Sequence, residues 1–414
     1  MSKELKRPEL LAPAGNLEKL KIALTYGADA VYIGGEEFSL RVAADNFSID
    51  ELKQGVEFAK KLNRKVYLTA NIIPHNKDVD EYARYLEEVK NTGIDAVIIS
   101  DLGMFDITKE VAPSLDIHIS TQANNVNYRS AEAWHKMGAK RVILAREMSL
   151  EEISEIRKRT SDELELEAFV HGAMCISYSG RCLLSNYMTG RDSNQGACAH
   201  PCRWKYYLME EQRPGEYMPV FENERGTFIY NSKDLCMIEH IDKLIDCGLS
   251  SFKIEGRVKS EFYVATVIAA YRRAIDSYLE NPDKWVFDPV WLDELKKVSH
   301  RDYTTGFYFG KPGGTEQHYK SSSYIRNFDM VGTVDEFDKE TMTAKIIQKN
   351  RFFKGDEVEF LSPDGTFFTQ KIEKISDENG VELTVANRPQ SIVYIKTDKP
   401  LEKCAFMRKK REKE

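Results

Sequence analysis

Long apolar runs are missing from this sequence. None approaches the roughly 20 residues that a membrane-spanning helix needs, and the opening segment Met1-Ser-Lys-Glu-Leu-Lys-Arg-Pro-Glu9 has no apolar core of the signal-peptide kind. The expectation is a cytoplasmic protein without a membrane partner, in a compartment that keeps thiols reduced. A basic surplus is missing too. The net charge is −7, and residues 325–414 hold 17 Lys/Arg against 17 Asp/Glu, so the acidic excess lies in residues 1–324. That balance argues against a general nucleic-acid coat protein and leaves room for a local basic path for RNA. No His-Glu-x-x-His helix and no Gly-x-Ser-x-Gly elbow occurs, which removes the commonest zinc-protease and serine-hydrolase signatures.

Cysteine is scarce, seven of 414 residues, yet five fall between Cys175 and Cys236. Their order is Cys175-x6-Cys182-x15-Cys198-x3-Cys202, with Cys236 after a further gap. Disulfide staples belong to small secreted domains that cannot build a core, and a chain of this length has no need of them. Thiols concentrated in an intracellular enzyme point to metal binding or redox chemistry. Cys247 precedes a strand-entry glycine and Cys404 lies in a β-rich region, so packing accounts for both.

The first 280 residues alternate buried β-type runs with amphipathic segments. Strands are expected at Glu9–Ala12, Ala30–Ile33, Lys65–Ala70, Ala96–Ser100, Ile117–Ser120, Arg141–Leu144, Leu164–Val170 and Ser251–Ile254. Four strand entries share one form, opening at Gly27, Gly93, Gly138 and Gly248, where a glycine ends a helix before a buried parallel strand. Eight such units predict an α/β fold of the TIM-type (β/α)8 barrel class. The absence of a glycine-rich dinucleotide fingerprint does not separate it from an open sheet. The interval from Leu164 to Ser251 is more than twice any other, so one βα connection holds a large cysteine-rich insertion, about residues 171–236. Such connections open at the catalytic mouth of a barrel. Asn71, Asp101, Gln122, Asn124, Arg146, Glu147, His171, Glu255 and Arg257 stand at the same strand ends and together suggest a pocket.

Residues 281–327, with Asn281-Pro, Asp288-Pro and Lys311-Pro-Gly-Gly, read as a connecting segment around a short helix at Trp291–Val298. Residues 328–414 carry short alternating runs and turn clusters, which predict a small C-terminal all-β barrel domain. The end, Arg408-Lys-Lys-Arg-Glu-Lys-Glu414, reads as a frayed, solvated tail. Ser299-His-Arg-Asp-Tyr-Thr-Thr-Gly-Phe-Tyr308 mixes basic and aromatic residues, suited to RNA contact or to packing the linker on the barrel. The Tyr206–Tyr207 pair reads as core.

Glu167-Ala-Phe-Val-His-Gly-Ala-Met-Cys-Ile-Ser-Tyr-Ser-Gly-Arg-Cys-Leu-Leu-Ser185 resembles the signature of the collagenase-like peptidase U32 family, of unassigned catalytic type. Leu10-Leu-Ala-Pro-Ala-Gly15, Gln195-Gly-Ala-Cys-Ala-His-Pro-Cys-Arg203, Ser232-Lys-Asp-Leu-Cys236 and Lys253-Ile-Glu-Gly-Arg257 are similar to further family segments. The layout resembles the branch that modifies tRNA to 5-hydroxyuridine. What the resemblance implies is an iron–sulfur enzyme, with a 4Fe-4S cluster, that supports oxygen-independent hydroxylation of the wobble uridine in a tRNA anticodon loop. It further implies prephenate or a related dicarboxylate as oxygen source, and a homologous second subunit as an open partner.

The cluster ligands expected on that basis are Cys175, Cys182, Cys198 and Cys236, the last by similarity to the hydroxylation branch, with Cys202 as rival fourth ligand. A structural zinc is the main alternative occupant, although the usual Cys-x2-Cys spacing is absent, and buried inert thiols are a further one. His171, Arg146, Glu255 and Arg257 are the candidate catalytic residues: His171 for proton transfer, the arginines for a donor's carboxylates. Arg181, Arg191 and Arg203 share that carboxylate role as candidates, against simple pairing with Glu147, Glu167 or Glu255. A collagenase-like peptidase using Cys175 with His171, or Cys202 with His200, stays open. So does a zinc-stabilised RNA-binding partner.

Overall fold

A computed structural model describes residues 5–40, 45–175, 177–204, 207–208, 218–219, 233–310 and 324–411. Tyr206, Ser232, Lys311-Pro-Gly-Gly and the last three residues lie outside them, as do the side chains of Arg203 and Tyr207. Strands β1 (Glu9–Ala14), β2 (Ala30–Gly34), β3 (Lys65–Thr69), β4 (Ala96–Ile99), β5 (Asp116–Ile119), β6 (Arg141–Ile143) and β7 (Glu165–Ala173) pair in parallel, each with the next. After β8 (Asp234–Cys236), strand β9 (Ser251–Ile254) pairs in parallel with both β7 and β1 and closes an eight-stranded barrel. Helices α1 (Leu17–Thr25), α2 (Ile49–Lys61), α3 (Asn76–Val89), α4 (Leu102–Val111), α5 (Tyr128–Met137) and α6 (Leu150–Arg159) alternate with them, and α7 (Glu261–Glu280) follows β9.

Local chemistry sets these boundaries. Ser48 with Glu51 and Ser149 with Glu152 form capping boxes that start α2 and α6. The four strand-entry glycines all have positive φ, between 86° and 113°. At Gly248 a Cβ would meet the Arg157 side chain at 2.7 Å, so both conformation and space require glycine.

Two elements depart from the sequence reading. Strand β7 runs three residues past Val170, because His171, Gly172 and Ala173 pair antiparallel with Cys236, Leu235 and Asp234 of β8. The segment around Tyr303 packs on the barrel: β10 (Tyr303–Thr304) pairs with β8, and His300, Arg301 and Tyr308 are buried, which removes them as an RNA-contacting surface.

The C-terminal module is an eight-stranded antiparallel sheet with Phe367–Lys371 and Glu382–Leu383 at its edges. It curls until Gln370 of one edge strand donates to the Lys396 carbonyl at 2.9 Å. The expected frayed tail is instead a strand, Phe406–Lys410, paired on both sides, and Arg408 in it is fully buried. The physical reason is charge neutralisation at a distance, since Arg408 meets Glu359 and Glu294, the latter at 2.6 Å. Phe406 joins the barrel core against Tyr26 and Phe262, and the Tyr26 hydroxyl donates to the carbonyls of Leu361 and Cys404. Among the described residues no helix is long and apolar enough to cross a membrane.

Candidate active site at the barrel mouth

A cavity of about 170 Å³ opens where the barrel strands end. Asn71, Gln122, Arg146, Glu147, Glu255 and Arg257 line it, whereas Asp101 caps α4 and neither Asn124 nor His171 reaches it. Its outer wall is the cysteine-rich segment, which is bonded to the barrel at several points. Glu147 accepts from the Ser179 backbone at 3.0 Å and its hydroxyl at 3.2 Å, and the Ile73 backbone N–H donates to Asn194 O at 3.0 Å. Gly180 has φ +75°, and a Cβ there would meet the Gln122 carbonyl oxygen at 2.1 Å, so only glycine permits this approach. Ser193 Oγ and Asn194 Nδ2 both donate to Cys182 O, and buried Ser185 accepts from the Ala199 N–H at 3.0 Å.

Cys175, Cys182, Cys198 and Cys202 all line the cavity. Cys175 is exposed to it and the other three are half-buried. Cys175 and Cys182 share a hydrogen bond that pushes the Cys182 thiol down to about 4 and the Cys175 thiol up. The His200 N–H reaches Cys198 Sγ at 3.4 Å. Cys236 lies elsewhere, buried in β8 against Tyr271, where burial raises its thiol to about 12. The structure thus brings Cys202, the rival, to the three common thiols, and does not bring Cys236 there. Among the described residues no three His, Cys, Asp or Glu side chains are grouped tightly enough for a single ion. A cubane cluster holds its thiolates further apart than one ion does. The donor set fits such a cluster: four thiols around one cavity, with N–H and hydroxyl donors beside them.

His171 is near Cys175 in sequence but turned away from it. A register shift places Phe169 opposite Lys253 and His171 opposite Ile254, leaving Val170 as the extra residue of a bulge. That bulge reverses the facing of the strand beyond it. His171 is therefore buried among Tyr263, Tyr271 and Tyr303, with Nδ1 3.5 Å from the Tyr271 hydroxyl. Burial, then Lys259 and His300, push its imidazole down to about 3, so it is neutral near pH 7 and outside the cavity.

The arginines are already engaged. Arg257 is buried and donates to Ser39 Oγ at 2.7 Å, Thr69 Oγ1 at 2.9 Å and Leu40 O. Arg146 donates to Ala173 O at 2.6 Å and stacks over Phe169, 3.9 Å from the ring centroid. Arg181 and Arg191 are exposed and do not line the cavity. Glu167 is fully buried between Arg141 and Lys253; burial would raise its carboxyl, but the two cations outweigh it and hold the pKa down. Sequence reasoning missed Lys253, Tyr32 and Thr69 as lining residues. Lys253 did leave a signal: a lone charge inside the four-residue strand Ser-Phe-Lys-Ile, buried at every position.

Comparison with known proteins gives this site a setting. The chain is 46% identical over 404 residues to tRNA hydroxylation protein P1 of Bacillus subtilis, covering 98% of this chain and 95% of that one. It is 39% identical over 438 residues to tRNA hydroxylation protein P of Escherichia coli, covering 96% and 95%. It is 45% identical over 393 residues to an uncharacterized protease of Methanocaldococcus jannaschii, covering 93% and 94%. Residues 15–318 match the model of peptidase family U32, and residues 326–408 match that of the family's C-terminal domain. The two matches together span nearly the whole of the chain, and this chain belongs to peptidase family U32.

Proposed function

We propose that the chain supports oxygen-independent hydroxylation of tRNA, converting the wobble uridine to 5-hydroxyuridine, with a 4Fe-4S cluster at the barrel mouth and prephenate as oxygen-bearing donor. The observation that carries this reading is the meeting of four thiols around one cavity, in a chain close to half identical to a tRNA hydroxylation protein along its length. Cys175, Cys182, Cys198 and Cys202 would hold the cluster, with Cys236 as the alternative fourth ligand. When bound, such a cluster supplies one-electron transfer.

The chain's own residues do the rest. Besides the thiols, the charged lining residues are Arg146, Lys253 and Arg257 with Glu147 and Glu255, and the three cations are the groups that would attract an anionic donor. Tyr178 lines the cavity and is 60% exposed, and Tyr187 is 87% exposed. Their ring faces suit bases of an anticodon loop whose uridine is turned out into the pocket. A peptidase needs an assembled nucleophile and base. The Cys175–His171 pair is not assembled, since His171 lies outside the cavity.

The test is a deletion strain whose tRNA nucleosides are quantified by mass spectrometry, with iron, sulfide and zinc measured on protein purified without oxygen. Loss of 5-hydroxyuridine that this chain restores, with iron and sulfide in the purified protein, is the expected result. Unchanged 5-hydroxyuridine refutes the substrate, and one zinc without iron refutes the cluster.

A further inference from the structure

Lys253 sits inside the barrel. On β9 it shares a face with Ser251, whose hydroxyl bonds Glu9 in the barrel interior at 3.1 Å, and it lines the cavity below Glu255 and Arg257. Its ammonium donates to Glu167 Oε1 at 2.9 Å, and among the described residues that is its one oxygen acceptor. Glu167 gives its other oxygen to Arg141 at 2.8 Å, and Arg141 in turn holds Glu9 and Glu165. The charges below Lys253 are thus locked into one another. Two of its three N–H groups are left with only the faces of Tyr32 and Phe169, at 4.4 and 5.4 Å from the ring centroids. A buried ammonium with a single acceptor is short of partners. Arg146 stacks on the same Phe169 ring, which adds a second cation beside the vacant donors.

We infer that Lys253 is the floor contact for the carboxylate of a small organic acid bound in the cavity. The inference rests on the reading above, that the cavity takes an anionic donor, and adds the residue and the bond. A cavity of about 170 Å³ holds roughly six waters at about 30 Å³ each, room for a small acid. An RNA phosphate would have to bring two riboses to an ammonium that is only 4% exposed. A carboxylate on a compact ring reaches it between the Tyr32 and Phe169 faces.

The experiment is calorimetric titration of the full-length holoprotein, without oxygen, with prephenate, phenylpyruvate and malate, beside a filter-binding measurement with tRNA. Wild type should bind prephenate, and Lys253→Gln should weaken that binding roughly 10- to 100-fold while tRNA affinity stays unchanged. Equal prephenate binding by both proteins overturns the inference and spares the donor reading. So does a loss of tRNA affinity with acid binding intact, which would make Lys253 a phosphate contact. Binding of none of the acids by wild type overturns the donor reading and this inference together. Should Lys253→Gln fail to fold, reductive methylation of wild type read by mass spectrometry decides: bound prephenate should protect Lys253, and an unchanged methylation rate overturns the contact.

Discussion

Replacing Arg408 with methionine should cost about 3 kcal/mol of stability. Arg408 is fully buried, and its guanidinium neutralises Glu294 and Glu359, which are 6% and 9% exposed. Removing one partner from a buried ion pair costs about 3–5 kcal/mol, because the remaining charge is left desolvated. Two features place this site at the lower end. Lys297 stays behind, 2.6 Å from Glu294 and 2.8 Å from Glu359, and among the described residues Arg408 Nη1 has no acceptor. Urea unfolding of the full chain, followed by tryptophan fluorescence, reads the effect, since Trp291 lies on the helix that carries Glu294, α8 (Pro289–Leu295), and stacks 6.4 Å from Trp285. The triple variant Arg408→Met, Glu294→Gln, Glu359→Gln should recover much of the loss, because no buried carboxylate remains unpaired. A cost below about 1 kcal/mol for the single variant, or a triple variant as unstable as the single, would refute the reasoning.

Three other outcomes follow from the geometry. Serine at Cys175, Cys182, Cys198 or Cys202 should each abolish bound iron, while Cys236→Ser should retain it; iron analysis giving the reverse for Cys202 and Cys236 would restore the sequence-based ligand set. His118 is buried against Tyr67, and burial, then Arg141, hold its imidazole well below the usual value, so only the unfolded chain takes its proton as pH falls below about 6.5. Stability should therefore drop by up to about 1.4 kcal/mol per pH unit on acidification from this group, and His118→Leu should remove that part of the slope in urea melts at pH 7 and 5. Gly180→Ala should push the cysteine segment off Gln122 and lower iron content while the far-ultraviolet circular dichroism of the barrel persists.

The barrel was legible because parallel strands buried on both faces read as continuous apolar runs, and Ala30–Gly34 and Ala96–Ile99 each follow a glycine that ends the preceding segment. The mouth was legible from the oversized interval after β7. What stayed hidden depended on contacts far along the chain. Residues 171–173 extend β7 only because residues 234–236 return to pair with them. His171 looked like a neighbour of Cys175 until a one-residue bulge turned it outward, and nothing local to Phe169-Val-His171 encodes that bulge. The spacing of the cysteines gives their order and not their facing, so Cys236 and Cys202 could not be ranked by it. Arg408 read as a solvated end because its two carboxylate partners lie at positions 294 and 359.

The antiparallel pairing of residues 171–173 with 234–236 closes the cysteine-rich segment at its neck. Chain enters and leaves the barrel at adjacent points, so the barrel's own strand pairings do not depend on how many residues lie between. Doubling the length of such a loop costs only about 0.6 kcal/mol in closure entropy. The arrangement separates two parts of one chain: a scaffold whose spacing is fixed by strand register, and an inserted segment whose length the scaffold does not constrain.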